Sequence, residues 1–395
     1  MIEIKDKKDC CGCHACVSVC AKHCITMQTD AEGFLYPIVD KESCTQCGLC
    51  EKVCPVIHQE ASHKPLASNI AINRDEAIRL RSSSGGIFTL LAEAVIREGG
   101  VVFGARFDEE WNVVHDWTDT VDGLVAFRGS KYVQSRIGDT YREAKEFLKQ
   151  GRKVLFSGTP CQVAGLKKFL CKEYDNLLAV DFICHGVPSP GVWQRYLSDF
   201  RASISSDEVP VITGVSFRDK RSGWKKYNFC LRYISSSNAG EQEFVQPFME
   251  NPFMRGFLAD IYLRPSCYAC PAKSGKSSSD ITMADAWGIN QFAQEYDDDK
   301  GACYILENTD KGSHMLQQLS FDSFPVDLEN IKRYNPSYCS SSRPHPKRHK
   351  FFRAYAKGTT ALEEIIKEIT TPTFLDKVKW SIKYRLSFLR KLLHR

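Results

Sequence analysis

The sequence has no long hydrophobic run. No stretch of its 395 residues approaches 18 apolar residues without a charge, so we expect no transmembrane helix. The first residues, MIEIKDKKDCC, are charged where a secretory signal peptide is apolar, which predicts a cytoplasmic protein. The G-x-G-x-x-G fingerprint is also missing, so the common dinucleotide-binding motif is not expected. The composition, 43% hydrophobic and 26% charged, is that of a globular protein, and the length predicts two or three domains.

Cysteine, by contrast, is abundant and unevenly distributed. Ten of the 18 cysteines lie within residues 1–54, and eight lie in the remaining 341 residues. Cytosolic thiols stay reduced, so a dense cysteine cluster in such a protein favours metal ligation over disulfides.

The N-terminal cysteines form two copies of one motif. C-x-x-C-x-x-C-x-x-x-C runs from Cys10 to Cys20 and again from Cys44 to Cys54. Bacterial ferredoxins use this spacing, with three close cysteines on one 4Fe–4S cluster and the fourth on the neighbouring cluster. We therefore assign one cluster to a first quartet, Cys10, Cys13, Cys16 and Cys54, and another to a second quartet, Cys44, Cys47, Cys50 and Cys20.

Two details qualify this assignment without changing it. Ala21 stands where a proline usually follows the fourth cysteine, but proline is not a ligand, and the second copy keeps Pro55. A zinc site made of C-x-x-C pairs is the alternative, although zinc takes four ligands and eight are present. Cys11 and Cys24 are left over and are expected to be packing residues.

Four further cysteines lie in segments that packing alone explains poorly. Cys161 and Cys184 each follow an apolar strand candidate, and Cys267-Tyr-Ala-Cys270 is a C-x-x-C loop. Residues at the carboxyl ends of adjacent strands meet at one edge of an α/β sheet, where the loop would complete a third quartet. From spacing alone, a cluster, zinc and unligated core cysteines all remain open.

Several segments together resemble the beta-subunit family of coenzyme F-420 hydrogenase/dehydrogenase. They are SSSGGIFTLLA, GSKYVQS, GTPCQVAGL, DFICHGVPSP, CYAC and SDITMADAWGI, and the likeness extends over about residues 1–340. The resemblance implies a flavoprotein with FAD and iron–sulfur clusters. It also implies that the third quartet, Cys161, Cys184, Cys267 and Cys270, holds a third 4Fe–4S cluster beside the flavin. Cys171, Cys230, Cys303 and Cys339 match no motif and are expected to be packing residues.

The same resemblance suggests where the flavin binds. Ser82, Ser83, Ser84, Gly85 and Gly86 precede a predicted helix, a pattern that alone is more typical of a helix N-cap. In the family context we interpret them as a cradle for the FAD pyrophosphate. The remaining expected flavin-binding residues are Lys131, Tyr132, Gln134, Thr159, Gln162 and Asp285. His185 and Lys131 are the candidate catalytic residues, and a structural histidine and a solvated lysine are the alternatives.

The predicted fold is an α+β ferredoxin-like dicluster module followed by an α/β flavin-binding domain with a mixed sheet. We place the dicluster domain at residues 1–57 and a polar linker at 58–68. The FAD and iron–sulfur domain spans 69–342, with a family N-terminal part at about 69–145 and a C-terminal part at about 150–342. A basic tail covers 343–395, with 14 Lys and Arg against 4 Asp and Glu.

The end of this tail reads as a cationic amphipathic helix. In residues 373–395, Phe374, Val378, Ile382, Leu386, Leu389 and Leu393 recur every three or four positions. Such a helix suits an anionic membrane surface, which would make the protein peripheral at the inner face of the membrane. A helix docked on the body and a partner-binding helix are the alternatives. No nucleic-acid motif accompanies the basic residues, so no nucleic-acid partner is expected.

These observations predict an FAD-dependent iron–sulfur oxidoreductase. Electrons would pass between ferredoxin-type clusters and FAD, and then to or from an organic acceptor such as a deazaflavin or another unsaturated compound. A redox partner protein or a small-molecule electron donor or acceptor would exchange electrons with it. The alternative is an electron-transfer subunit or accessory protein for a partner enzyme, such as one in envelope polysaccharide synthesis.

Overall fold

The computed structural model describes residues 1–204, 209–235 and 240–371. Its strands are β1 (Ile25–Thr29), β2 (Leu35–Val39), β3 (Ala67–Ile72), β4 (Val101–Phe107), β5 (Val113–Thr118), β6 (Val154–Ser157), β7 (Leu177–Phe182), β8 (Val211–Asp219), β9 (Asn228–Ile234), β10 (Glu241–Pro247), β11 (Ile281–Asp285), β12 (Cys303–Glu307) and β13 (Asp322–Pro325). Its helices are α1 (Ala15–Val19), α2 (Leu49–Lys52), α3 (Glu76–Arg81), α4 (Ile87–Arg97), α5 (Thr140–Lys149), α6 (Pro160–Leu170), α7 (Pro190–Ile204), α8 (Pro252–Leu258), α9 (Asp310–Gln317), α10 (Leu328–Tyr334), α11 (Arg348–Lys357) and α12 (Leu362–Thr370).

An eight-stranded mixed sheet forms the centre of the body. Its strand order is β13-β3-β12-β11-β7-β6-β4-β5. Neighbouring strands among β4, β6, β7 and β11 are parallel, and the outer pairs are antiparallel. This confirms the predicted mixed α/β sheet. The carboxyl ends of β6, β7 and β11 lie side by side, which is the edge where α/β sheets place their sites.

The central strands are apolar because both faces of the sheet are covered. Alternate residues of a strand point to opposite faces. Phe103, Phe156 and Ala179 pack with α5 and α6 on one face, while Leu155 and Val180 pack with α4 on the other. Continuous apolar runs such as LLAV in β7 are the expected consequence of this double burial.

Most of the elements expected from local patterns are found. The helix patterns in SGGIFTLLAEAVIREGG and TYREAKEFLKQG are α4 and α5, and TPCQVAGLKKFL is α6. VVFGARF and WNVVHDW correspond to the antiparallel pair β4 and β5. KVLFSG and LLAVDFIC contain β6 and β7. The strand pair expected around GVSFRDK and YNFCLRYIS is β8 with β9.

A second layer packs beside this sheet. The antiparallel sheet β10-β9-β8 shares one core with α7, α8, α11 and α12. Phe351 of α11 and Ile366 of α12 are fully buried in that core. Residues 348–370, which the charge pattern groups with the basic tail, are therefore part of the folded body. The predicted amphipathic helix at 373–395 lies outside the described residues.

The N-terminal region is a small unit built on the cysteine repeat. Strands β1 and β2 form an antiparallel pair, and the short helices α1 and α2 follow the two cysteine loops. Side chains from the body hold this unit in place. Arg142 of α5 donates hydrogen bonds to the carbonyls of Val17 and Ser18 at 2.9 Å.

None of the helices in the described ranges combines the length and the apolar character that crossing a bilayer requires.

Candidate functional site

The two cysteine repeats adopt the same backbone path. In the first copy, Gly12 and His14 have positive φ angles of 69° and 62°. Their counterparts in the second copy, Gln46 and Gly48, have φ angles of 56° and 75°. Two left-handed residues between three cysteines wrap the chain into a tight loop. A short helix then contains the third cysteine of each copy, and the fourth cysteine follows the helix within two residues. The sequence repeat is therefore also a structural repeat.

The first quartet lines one cavity. Cys10, Cys13, Cys16 and Cys54 all line the space between the first repeat and β1–β2. Cys54 comes from the second repeat, so the structure brings together the three-plus-one set that the spacing predicts. Desolvation raises the pKa of Cys16 to about 12, so this thiol needs positive charge nearby to ionise.

The second quartet lies nearer to solvent. Cys47 is exposed, Cys20 and Cys44 are partly exposed, and Cys50 is buried. The Cys50 sulfur accepts a hydrogen bond from the Ile2 amide at 3.2 Å. Cys24, expected to be a packing residue, lies 3.4 Å from Cys20 between their sulfur atoms.

The third quartet also lines a single cavity. Cys161 is the second residue of α6, directly after β6, and Cys184 follows the neighbouring parallel strand β7 by two residues. Cys267 and Cys270 come from the loop at Pro265–Ala269. All four line this cavity at the carboxyl edge of the sheet. The structure brings these cysteines together, and their role as cluster ligands remains a prediction.

Burial and local charge define the electrostatics of this cavity. Desolvation raises the pKa of Cys184 to about 12. Lys273 brings a positive charge to the cavity, and its Nζ donates hydrogen bonds to the carbonyls of Cys184 and Ser337 at 2.6 and 2.7 Å. Buried thiols beside a lysine fit a metal centre, because metal binding deprotonates them and supplies compensating charge.

Zinc is the alternative occupant of a set of four thiols, and it holds its sulfur ligands at about 2.3 Å from one point. Across the described ranges, no group of three or more His, Cys, Asp or Glu side chains converges in a way that would hold a single metal ion.

Cys11 connects the two cavities. Its buried side chain borders both of them. It also contacts Cys13 of the first quartet and Cys161 of the third. Cys11 was expected to be a packing residue, and it is buried in the core, where the structure places it between two candidate cluster sites.

The expected flavin residues fall into two groups. Ser83, Lys131, Tyr132 and Asp285 are linked through one polar and aromatic region. Ser130 donates a hydrogen bond to Ser83 at 2.8 Å, and Tyr132 contacts both Ser130 and Arg218. Arg218 forms a buried ion pair with Asp285. Desolvation lowers the pKa of the Lys131 amine to about 7, and its Nζ donates to the carbonyl of Arg128 at 3.0 Å.

Gln134, Thr159 and Gln162 belong elsewhere. Gln134 lies at the junction with the N-terminal unit, where its Nε2 donates to the Cys11 carbonyl at 3.0 Å. Thr159 and Gln162 form the capping box of α6. Thr159 Oγ1 lies 3.2 Å from the Cys161 sulfur, so this pair positions a cysteine of the third quartet.

The glycines of the expected pyrophosphate cradle have a packing role. The Gly85 amide donates to the Cys303 sulfur at 3.1 Å, and a Cβ at Gly85 would lie 2.6 Å from the Ala71 carbonyl oxygen. Gly86 caps α4 in the left-handed conformation, with φ of 81°. Ser82 and Ser84 donate their hydroxyls to the carbonyls of Ile78 and Ala302. In this arrangement the glycines allow close packing. Among the three serines, Ser83 is the one whose hydroxyl is bonded to another hydroxyl, that of Ser130.

Cationic and aromatic side chains nevertheless fit an anionic flavin nucleotide. The Arg218 side chain is 3% exposed, and its Nε and Nη2 have no hydrogen-bond partner among the described residues. Its guanidinium lies over the rings of Tyr227 and Trp287, at 4.7 and 5.3 Å from their centroids. Trp287 stacks on Trp224 with centroids 4.7 Å apart. Buried donors beside aromatic faces suit a phosphate-bearing aromatic cofactor.

The side chain of His185 contacts a carboxylate at the edge of the cavity that the third quartet lines. Its Nε2 lies 2.6 Å from Asp260 Oδ1, and its ring meets Phe257 edge-on at 5.4 Å. Tyr132 stacks on Phe257 at 4.8 Å, so this phenylalanine separates the histidine from the Tyr132 and Arg218 region. The geometry leaves both interpretations of His185, proton donor or structural residue, as predictions.

Some residues at these sites were missed by sequence reasoning. Arg264 lies beside the first quartet, and Arg218 lies beside Asp285. Arg264 directly precedes the Pro265–Ala269 loop, but a lone arginine there carries no signal of its own. Only the fold shows that it reaches across to the N-terminal unit.

Two family models match the chain. Residues 151–331 match the model for the C terminus of the coenzyme F420 hydrogenase/dehydrogenase beta subunit. Residues 9–57 match the model of a 4Fe–4S dicluster domain. The family resemblance and the dicluster domain expected from the sequence are thereby confirmed.

Similarity to individual proteins is weaker. A chain from the xenon-derivatized F420-reducing NiFe hydrogenase complex of Methanosarcina barkeri aligns with 16% identity and a TM-score of 0.46. The alignment covers 73% of this chain and 91% of that one. Comparison with curated proteins gives no match.

Proposed function

We propose a function from one premise. Residues 151–331 belong to the beta-subunit family of coenzyme F420 hydrogenase/dehydrogenase, and residues 9–57 are a 4Fe–4S dicluster domain. The chain is therefore an iron–sulfur electron-transfer protein of the oxidoreductase type. Within that class, we propose an FAD-dependent oxidoreductase with a third 4Fe–4S cluster at Cys161, Cys184, Cys267 and Cys270.

One observation carries this proposal. Four cysteines from three separate segments line one cavity at the carboxyl edge of the sheet, and Cys11 connects that cavity to the first quartet. A third redox centre in this position would link the dicluster domain to the body. Four partly buried cysteines kept only for packing would have no reason to meet around one space.

The proposed flavin would lie against Arg218, Lys131, Tyr132 and Ser83. When bound, a flavin couples one-electron carriers to two-electron chemistry on an organic acceptor, such as a deazaflavin or another unsaturated compound. Arg218 and Lys131 would hold its negative groups, Tyr132 and Trp287 offer flat apolar surface, and Ser83 offers a hydroxyl. His185 with Asp260 is the proposed proton-handling pair beside the third quartet.

Metal and flavin analysis tests the proposal. Anaerobically purified protein should contain close to twelve iron, twelve acid-labile sulfide and one FAD per chain. Cys161→Ala should reduce the iron to about eight. Cys171→Ala is the matched control, because Cys171 is exposed at the end of the same helix, and it should keep twelve. Eight iron in the unaltered protein would refute the third cluster, and absence of FAD would refute the flavin.

A subunit that serves a partner enzyme is the second candidate function. The exposed Cys47 favours it, because a cluster near the surface suits electron exchange with another protein. The two candidate functions predict different results when the isolated chain is given an organic acceptor. Reduction of a low-molecular-weight acceptor by the isolated chain supports the enzyme, and activity only after a partner protein is added supports the subunit.

A further inference from the structure

Arg264 is a fully buried cation with no carboxylate beside it. Its side chain is 0% exposed, and in the described part of the chain no Asp or Glu lies within ion-pair distance. Its Nε donates to the Cys10 carbonyl at 2.7 Å, and its Nη1 donates to Gln134 Oε1 at 3.0 Å. Its Nη2 donates to the Leu35 carbonyl at 2.9 Å, and its guanidinium lies 4.3 Å from the centroid of the Tyr36 ring. These neutral partners and the ring face offset part of the cost of burying the charge, and a full negative charge nearby would offset it further.

The missing negative charge lies in the first quartet. Arg264 Nη2 donates a hydrogen bond to the Cys10 sulfur at 3.4 Å. Gly12 permits this approach, because a Cβ there would lie 2.9 Å from the guanidinium carbon and 2.7 Å from Gln134 Nε2. The loop of the first repeat is thus shaped around a cation that the body supplies.

The two quartets of the dicluster domain differ in their surroundings. The first quartet faces the body, where Arg264 and Gln134 exclude water and Cys11 leads to Cys161. The second quartet includes the exposed Cys47, so water screens its charges. A buried cation changes the energy of a nearby charge far more than an exposed one does.

We propose that Arg264 raises the reduction potential of the cluster held by Cys10, Cys13, Cys16 and Cys54 above that of its neighbour, and so makes it the exit cluster of the dicluster domain. Reduction adds one electron and one negative charge to a cluster, and the guanidinium stabilises that added charge. In this transfer the cluster of the second quartet loses one electron, the cluster of the first quartet gains it, and no other reactant is consumed. The proposal depends on the proposed function only for the acceptor beyond Cys11.

Replacing the charge tests it. In anaerobic full-length protein, the midpoint potentials of the clusters are measured by electron paramagnetic resonance during reductive titration, and a signal that is missing in Cys161→Ala is assigned to the third quartet. A soluble relaxation agent identifies the cluster near Cys47, because it broadens the signal of the more exposed centre. Arg264→Gln should make reduction of the buried cluster at least tenfold less favourable, about 59 mV for one electron. The equilibrium constant for reduction of the exposed cluster should change less than threefold.

Control variants separate charge from contact. Arg264→Lys keeps the charge. The equilibrium constant for reduction of the buried cluster should therefore stay within threefold of its original value. Arg142→Gln removes another body arginine that bonds to the N-terminal unit but touches no cysteine sulfur, and it should move neither potential. An equal shift of both clusters in Arg264→Gln, no shift, or the same shift in Arg142→Gln would overturn the proposal.

A second variant avoids the loss of a buried arginine. Gln134→Glu places a carboxylate beside Arg264, which neutralises the cation while leaving it in place. It should lower the potential of the buried cluster in the same direction, and an unchanged potential would overturn the proposal even if Arg264→Gln fails to fold. Iron content is determined in the same samples. Eight iron with the predicted shift would keep this inference and refute only the third cluster.

Discussion

His115 shows how burial controls a single titratable side chain near the site. Its side chain is buried, its Nε2 lies 3.0 Å from the Ser157 carbonyl, and its ring stacks on Phe156. Desolvation lowers the pKa of His115 to about 4 from the ordinary 6.5. The folded protein therefore binds this proton less readily than the unfolded chain does.

We predict that acid weakens the fold through His115. Because the unfolded chain binds the proton first, stability is lost as the pH falls from about 6.5 to about 4, by about 1 kcal/mol between pH 7 and 5.5. The melting temperature should therefore fall more over this range in the original protein than in His115→Asn. Equal falls in the two proteins would show that His115 already carries its proton when folded.

Residue types that bind metal were readable from the sequence, and their electrostatic partners were not. The cysteine spacing predicted the first quartet, including Cys54 from the other repeat. Arg264 acts on Cys10 across 254 positions of sequence, and no local pattern marks such a contact. The hydrogen-bond partner of a glycine amide is hidden in the sequence for a similar reason. Gly85 precedes a helix, as an anion cradle would, but its amide is bonded to Cys303 on a distant strand.

Helix α6 is the element that joins the candidate sites. Its second residue is Cys161, its capping box uses Thr159 and Gln162, and Gly165 faces the first repeat. A Cβ at Gly165 would lie 2.9 Å from both Cβ and Sγ of Cys13 and 3.0 Å from the Tyr141 hydroxyl. The missing side chain lets the helix touch a ligand loop of the dicluster domain.

Gly165→Ala should therefore destabilise the protein although alanine favours helices. The intrinsic helix gain is about 1 kcal/mol, and overpacking a rigid contact costs about 1–3 kcal/mol. We expect a lower melting temperature and loss of iron from the first quartet. Lys167→Ala in the same helix removes only a surface ion pair with Glu173 and should change little. A higher melting temperature with full iron in Gly165→Ala would contradict this account.

Strands and helices were predicted correctly where the apolar pattern of the element alone shows which of its residues are buried. The apolar runs that became β6 and β7 needed only their own composition to be recognised. The helices α11 and α12 were grouped with a basic tail because seven of the 14 basic residues in 343–395 lie in 373–395, beyond both helices. Their buried residues, such as Phe351 and Ile365, find partners only in the core shared with α7 and α8.

At the scale of the whole molecule, the three cysteine quartets lie in one contiguous series. The exposed second quartet lies at one end, the first quartet follows, and Cys11 leads to the cavity of the third quartet at the sheet edge. The N-terminal unit is fixed to the body by arginines at several points, including Arg348 with Glu32. The relative placement of the quartets is thus part of the fold.

The C-terminal region should divide into a structural and a surface-binding part. A chain ending after Thr371 keeps α11 and α12, so we expect its melting temperature and iron content to stay unchanged. A chain ending after Ser342 removes both helices, exposes the core around Phe253 and Ile261, and should fail to fold. The first truncation separates the role of residues 373–395 from the stability of the body.

That first truncation should abolish binding to anionic vesicles. Residues 373–395 carry seven basic residues (Lys377, Lys379, Lys383, Arg385, Arg390, Lys391 and Arg395) and one acidic residue, Asp376. Each basic residue near an anionic surface contributes about 1 kcal/mol, so co-sedimentation of the full chain should weaken as salt rises. The apolar residues of the segment add a contribution that salt does not screen, so some binding should persist. If the full chain does not sediment with the vesicles at low salt, the membrane partner is wrong. A lower melting temperature of the truncated chain would then indicate a helix docked on the body.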